Sequence, residues 1–200
     1  FLLGNPLAAI TQGMQNGLAG MSGTNAILLG VVLGLMMCFD LGGPVNKAAY
    51  LFATAGLAPD KPASLVIMAA VMAAGMVPPI AMSAATFLRK GLFTETEREN
   101  GQSAWLLGLS FISEGAIPFA AADPLRVIPS MMIGGAVTGA LIEGFGVGSY
   151  APHGGIFVFF AITNFLLFVL ALLIGSAVGA GLVIALKSLT KNNNKVAVTA

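Results

Sequence analysis

Long apolar stretches are the feature that most limits how this 200-residue chain can fold. The stretch from Ala63 to Leu88 has the length that crosses a bilayer, about 20 residues, and Ile156 to Leu186 is longer still. Hydrophobic residues make up 57% of the chain and charged residues 8%, against about 25% charged in soluble domains. Because lipid offers no partners to backbone N–H and C=O groups, such segments are predicted to be helices. The expected fold is an all-α, polytopic membrane protein.

Charge and cysteine content exclude several functional classes. A net charge of +1 provides no basic surface for nucleic acid, so no nucleic-acid partner is predicted. Cys38 is the only cysteine, which excludes an internal disulfide and a zinc site built from cysteines. The sequence contains neither a phosphate-binding P-loop motif nor the HExxH motif of metalloproteases.

The two ends of the chain have different compositions. The chain begins at Phe1 with no initiator methionine and no signal-peptide pattern, so we expect this end to be the cut end of a longer polypeptide. Residues 187–200 are polar and basic, which predicts a cytoplasmic tail.

Two short apolar pieces near the N-terminal side predict a broken helix. Asn25 to Phe39 and Lys47 to Ala58 are both shorter than a span, and Gly42-Gly43-Pro44 lies between them. Glycine ends helices, and proline is tolerated in the first turn of a new one. This arrangement is typical of discontinuous or re-entrant elements, which mark the binding sites of transporters.

The polar loop at residues 89–102 orients the chain in the membrane. It follows the span Ala63 to Leu88, in which Pro78-Pro79 predicts a kink, and it contains the longest run of charged residues. Because Arg89-Lys90 directly abuts that span, the positive-inside rule predicts that the loop is cytoplasmic and in water.

An even number of crossings must then separate this loop from the cytoplasmic tail. Three apolar stretches lie between them, Ser103 to Ala122, Val127 to Val147 and Ile156 to Leu186, so one stretch does not cross. Ser103 to Ala122 is the best candidate because Gly115 and Pro118 interrupt it beside an acidic residue.

Ionisable groups occur at the predicted breaks, where a charge is tolerated only if it pairs or faces an aqueous cavity. Asp40, Asn46 and Lys47 flank the first break. They are either ligands for a polar substrate or an interfacial loop in which an Asp40–Lys47 pair caps two helices.

Glu114 and His153 are the other two candidates for chemistry. Glu114 lies within an apolar stretch and is either functional, as intramembrane acids usually are, or a protonated and tolerated group. His153 is the only histidine and stands between Pro152 and the pair Gly154-Gly155, which favours exposure to a cavity.

Asp123 is a weaker candidate. Arg126 follows it by three residues across Pro124, a spacing that favours a structural ion pair or a membrane-boundary anchor over contact with a ligand.

The ordered motifs between about residues 30 and 186 resemble the fructose-type enzyme IIC of the bacterial phosphoenolpyruvate-dependent sugar phosphotransferase system. The resemblance rests on these motifs: Asp40-Leu41-Gly42-Gly43-Pro44-Val45-Asn46-Lys47, Ile112-Ser113-Glu114-Gly115-Ala116-Ile117-Pro118-Phe119, Asp123-Pro124 and Pro152-His153-Gly154-Gly155. The family's membrane domain is longer, so the resemblance implies that residues 1–186 are a partial domain without its N-terminal helices.

The resemblance implies a sugar permease of the inner membrane with re-entrant hairpins that phosphorylates its substrate during transport. A phosphocysteine on a IIB domain, itself supplied through IIA and HPr, donates the phosphoryl group to the sugar, and the permease is expected to be a homodimer in the lipid bilayer. Neither a metal nor an organic cofactor is implied.

The resemblance also assigns roles to the candidate residues. Glu114 orients the attacking hydroxyl and accepts its proton, and His153 binds the sugar or stabilises developing charge. The substrate-binding set that the resemblance implies is Asp40, Asn46, Lys47, Asp123 and Gly154, with Lys47 near the incoming phosphoryl oxygens.

Two other functions fit the same residues. One is a secondary transporter of a polar solute that is coupled to ions or protons through Glu114, and the other is an inactive scaffolding fragment. Among sugars, fructose is expected first, and mannitol and mannosylglycerate stay open.

Overall fold

The computed structural model describes the backbone of residues 25–198 and the side chains of residues 25–189, so the predicted cut end at Phe1 lies outside the described residues. Every long element is helical, as predicted. The α-helices are α1 (Ala26–Phe39), α2 (Pro44–Gly56), α3 (Pro62–Leu88), α4 (Glu95–Leu109), α5 (Ile117–Ala122), α6 (Pro124–Phe145) and α7 (Phe165–Val198). Three short 3-10 helices, Lys90–Leu92, Ser113–Ala116 and Gly155–Ala161, connect them.

Helix α3 is the centre of the molecule. It is apolar all round, and 83% of its most apolar 18-residue window is buried. Helices α1, α2, α4, α6 and α7 all pack against it. The large apolar side chains that stay exposed on the outer helices, such as Leu125 and Leu166, suit contact with lipid.

Within the part of the chain that the structure describes, three helices are long and apolar enough to cross a membrane: α3, α6 and the part of α7 from Phe165 to Leu189. Two of them lie between Arg89 and Lys187, which is the even number that the parity argument requires. The stretch Ser103 to Ala122 is divided among α4, a 3-10 turn and α5, and none of these is one of the three candidate spans.

The places where two apolar stretches break were predicted less well. Helix α4 ends at Leu109, and Phe111 has a left-handed φ of 63°, so the break precedes Gly115 and Pro118. The stretch Ile156 to Leu186 is not one helix. A 3-10 helix occupies Gly155–Ala161, and α7 begins only after Asn164, which also has a positive φ.

Glycines bring α1 and α6 into backbone contact. Gly30 lies against the carbonyl group of Gly139, and Gly34 lies against that of Gly135, one helical turn away. A Cβ atom at any of these four positions would overlap backbone atoms of the other helix. Small residues at such crossings let membrane helices approach closely and gain van der Waals contact.

Two charged residues that we predicted to lie in water, Glu97 and Lys187, are buried against each other. Glu97, predicted to lie in water, belongs to α4, and its side chain is 5% exposed. Lys187, predicted to begin a free tail, is part of α7, and its Nζ lies 2.8 Å from the Glu97 carboxylate. Because both side chains are buried, removal of either partner would leave an unpaired buried charge and destabilise the protein. The pair also joins the two segments that we predicted to be on one side of the membrane.

The α1–α6 contact predicts a specific sensitivity to one added methyl group. We expect Gly139→Ala to destabilise the protein, because the new Cβ would overlap the Gly30 carbonyl group and separate the two helices. Gly144→Ala in the same helix is the matched control, since no atom lies within 4 Å of its Cβ position. Thermal unfolding of the purified proteins in detergent should show a lower midpoint for Gly139→Ala only. Equal midpoints would contradict this packing.

Candidate functional site

Two prolines in the middle of α3 leave two carbonyl groups without helical donors. Pro78 and Pro79 have no N–H, so the carbonyls of Ala74 and Gly75, four residues earlier, lose their normal partners. The Ser113 hydroxyl donates to Gly75 O at 2.7 Å, and the Cys38 thiol donates to Ala74 O at 3.4 Å. Since Gly75 is the middle residue of this span, these bonds hold two irregular segments at mid-span.

The first of these segments is the break between α1 and α2, which the Gly42-Gly43-Pro44 signal predicted. The Asp40 carboxylate accepts hydrogen bonds from the backbone N–H groups of Val45 and Asn46 at 2.8 and 2.9 Å. The Asn46 amide donates to Met37 O at 2.7 Å. Asp40 therefore satisfies the start of α2, where a negative charge is favoured, and Asn46 satisfies the end of α1.

Glu114 follows Ser113 in a 3-10 turn and lies directly over this break. The Lys47 ammonium is 3.3 Å from Glu114 Oε1, and the two side chains are 55% and 45% exposed. Gly42 has a φ of 106°, and a side chain there would overlap the Glu114 carboxylate. The chain thus needs glycine at this position for its conformation and for space. Lys47 pairs with Glu114 and not with Asp40, which corrects the Asp40–Lys47 pair considered above.

His153 reaches the same place from a loop between α6 and α7. The two arms of that loop run antiparallel, joined by a 2.9 Å bond from Tyr150 N to Ala161 O and by an isolated bridge between Ser149 and Ile162. The His153 ring lies 5.0 Å from the ring of Phe111, measured between centroids. The imidazole is therefore carried to the segment that precedes Glu114.

These parts enclose one small cavity. Its walls come from α1, α2, the segment before α5 and the loop before α7. The lining residues are Met37, Asn46, Lys47, Tyr50, Phe111, Ile112, Ser113, Glu114 and His153. Four of the predicted site residues, Asn46, Lys47, Glu114 and His153, thus share a single pocket.

The structure does not bring the other three predicted residues to the wall of this pocket. Asp40 lies behind it and holds the start of α2. Gly154 shapes the His153 loop with a φ of 117°. Asp123 forms an ion pair with Arg126 at 2.7 Å and lies 3.5 Å from Lys187, so its contacts belong to the charged network that includes Lys187 and Glu97.

Five pocket residues were not predicted from sequence: Met37, Tyr50, Phe111, Ile112 and Ser113. An apolar stretch contains many such side chains, and only the fold distinguishes them. The double proline is the one signal that indicated a need for extra donors near Gly75. Among the residues that the structure describes, no three His, Cys, Asp or Glu side chains cluster as metal ligands would.

Three candidate spans define the chain as a helical membrane protein, and its polar, partly accessible pocket lies at helix breaks. The chain is 56% identical over 181 residues to the "PTS system fructose-specific EIIB'BC component" of Vibrio cholerae, which covers 89% of this chain and 31% of that protein. It is 50% identical over 188 residues to the protein of the same name in Escherichia coli, covering 92% of this chain and 33% of that protein. It is 44% identical over 180 residues to the "Fructose permease IIC component" of Bacillus amyloliquefaciens, covering 90% of this chain and 58% of that protein.

The chain therefore spans about a third of the length of its relatives from Vibrio cholerae and Escherichia coli. No protein-family model and no solved structure matches it. The resemblance to fructose-type enzyme IIC that the motifs indicated is confirmed by these identities.

The Ser113–Gly75 bond predicts a stability effect in the pocket. Ser113→Ala would leave the Gly75 carbonyl without a donor, at a cost of about 1–3 kcal/mol in the free energy of unfolding. Ser110→Ala is the control. The Ser110 hydroxyl donates to the carbonyl of Leu106, four residues earlier, which has not lost a donor to proline. Chemical or thermal unfolding of both variants in detergent provides the measurement, and an equal loss in the two would argue against the bond.

Proposed function

We propose that this chain is the substrate-handling part of a fructose permease that phosphorylates the sugar it carries. The observation that carries the proposal is the convergence of Glu114, Lys47 and His153 on one pocket at the middle of a membrane-spanning helix. The identities to fructose-specific components of the phosphotransferase system support fructose as the substrate.

The pocket has the groups that phosphoryl transfer requires. A sugar hydroxyl oxygen attacks the phosphorus of the phosphocysteine, the O–P bond forms, the S–P bond breaks, and the cysteine leaves as a thiolate. Glu114 orients that hydroxyl and accepts its proton. Lys47, which pairs with Glu114 before the donor arrives, would attract the phosphoryl oxygens, and His153 would donate a hydrogen bond to the sugar.

A IIB domain is the proposed partner. Two of the relatives have EIIB'BC in their names, which associates this membrane part with IIB. We place the segment around residues 89–102 on the cytoplasmic side, where the donor would approach, and expect a homodimer in the bacterial inner membrane. The broken segments at Asp40–Gly43 and Ser110–Ala116 are, in this proposal, the tips of re-entrant hairpins.

The pocket must change shape to take a whole sugar. Its volume is about 120 Å³, and most ligand pockets enclose roughly 300–1,000 Å³. A hexose would enter when the break before α2 and the turn that holds Glu114 move apart, and these two parts are joined across the pocket by the exposed Lys47–Glu114 pair.

Glu114→Gln should abolish fructose phosphorylation while leaving much of the affinity for fructose. The amide keeps the size and a hydrogen bond, but it cannot accept the proton of the attacking hydroxyl. Membrane vesicles that contain the protein, phosphorylated IIB and labelled fructose measure both quantities. Asp60→Asn, at an exposed acid between α2 and α3, is the control. Wild-type turnover in Glu114→Gln would remove the catalytic role.

The same vesicles separate this proposal from an ion-coupled or proton-coupled transporter. The permease proposed here yields labelled sugar phosphate only when phosphorylated IIB is present. Accumulation of free fructose driven by a proton or sodium gradient, without IIB, would favour the secondary transporter instead.

His153→Ala should weaken sugar binding, because it removes a ring that lines the pocket and would donate a hydrogen bond to the sugar. His153→Gln retains a hydrogen-bond donor and should recover part of the affinity. Equilibrium binding of labelled fructose to the purified variants tests both. Wild-type affinity in His153→Ala would place the histidine outside the sugar site.

A further inference from the structure

Three rings from three parts of the chain form one side of the pocket. The ring of Phe111 lies 6.0 Å from that of Tyr50 and 5.0 Å from that of His153, and Tyr50 lies 6.3 Å from His153. The rings are tilted by 52°, 41° and 81° and do not stack face to face. We propose that this aromatic wall binds the apolar face of a cyclic sugar and that Tyr50 is the residue that selects the ring form.

Phe111 anchors the wall. Its side chain is 5% exposed, and its backbone has a left-handed φ of 63°, which directs the ring toward α3. Gly75 makes room for it, since a Cβ there would overlap the Phe111 ring. The backbone of Gly155 packs against the Phe111 backbone and brings the His153 loop to the same point. Packing against Gly75 and Gly155 therefore fixes the position of Phe111.

Tyr50 is the adaptable member of the wall. It projects from α2, is half-buried and lines the pocket. Within residues 25–189, neither the Tyr50 hydroxyl nor the ring nitrogens of His153 form a hydrogen bond with a protein group. Both side chains are thus held by ring contacts while their polar atoms are free to bind hydroxyl groups. Lys47 lies three residues before Tyr50 on α2, about one helical turn away, and its ammonium group faces Glu114.

A wall of apolar ring faces with free polar atoms at its edge suits a cyclic sugar better than an open-chain polyol. One face of a cyclic sugar carries C–H groups, and burying them against an aromatic side chain is favourable, while the edge hydroxyls find polar partners. An open-chain polyol of the same length has no continuous apolar face. The inference rests on the proposed function, because it assigns the sugar to this pocket, and it adds a preference for the cyclic form.

The test compares Tyr50→Phe, which retains the ring, with Tyr50→Leu, which removes it. We expect the KM for fructose to rise about threefold in Tyr50→Phe through the lost hydroxyl and about tenfold in Tyr50→Leu. The kcat should change little in either, because the proposed function places the attacking hydroxyl at Glu114 and not at Tyr50. Tyr150→Phe, an exposed tyrosine outside the pocket, is the control.

Competition on the wild-type protein tests the ring preference without depending on a variant that folds. Anhydromannitol, a ring-locked fructose analogue, should displace labelled fructose, and mannitol, its open-chain counterpart, should do so at least about tenfold less well. An equal effect of the two, or a wild-type KM in a folded Tyr50→Leu, would overturn the aromatic wall. Failure of the wild-type protein to bind or phosphorylate fructose at all would instead overturn the proposed function.

Discussion

Two carbonyl groups in the middle of α3 that have no donor within their own helix are the constraint on which the pocket depends. In lipid an unsatisfied backbone carbonyl costs several kcal/mol, so a span with Pro78 and Pro79 needs donors from neighbouring segments. The Ser113 hydroxyl and the Cys38 thiol supply them. Each donor lies beside a chain break. The two hydrogen bonds that satisfy α3 therefore also hold two irregular segments at the middle of that helix. The residue after Ser113 is Glu114, and its position follows from that bond.

The polar groups near the pocket divide into two sets with different tasks. Asp40 and Asn46 hydrogen-bond the backbone ends of α1 and α2, so the break is satisfied by protein groups. Because those side chains perform that task, the neighbouring Lys47 remains available to a ligand. Buried charges elsewhere serve structure: Glu97 and Lys187, with Asp123 close by, tie α4 and the start of α6 to α7.

Sequence reasoning predicted the spans and the broken segments because hydropathy, proline and glycine act locally. It also selected Glu114, His153 and Lys47, since an ionisable group near a break in a membrane segment has few structural uses. It could not predict that Tyr50 and Phe111 belong to the same pocket, because aromatic residues are common in apolar stretches and their contacts join distant parts of the chain. The Asp123–Arg126 ion pair was predicted because the two residues are three positions apart, whereas the approach of Lys187 to Asp123 could not be predicted because Lys187 lies far along the sequence.

The strengths of the contacts around Glu114 are unequal, and this inequality suits a site that must open. The backbone bonds that anchor Ser113 and the start of α2 are buried or partly buried, so breaking them would expose groups that nothing else satisfies. The Lys47–Glu114 pair is about half exposed on both sides, and exposed ion pairs contribute only about 0–1 kcal/mol. The link across the pocket is therefore its weakest contact. In the proposed function, an arriving anionic donor would take Lys47 from Glu114 at little cost and leave both anchored segments in place.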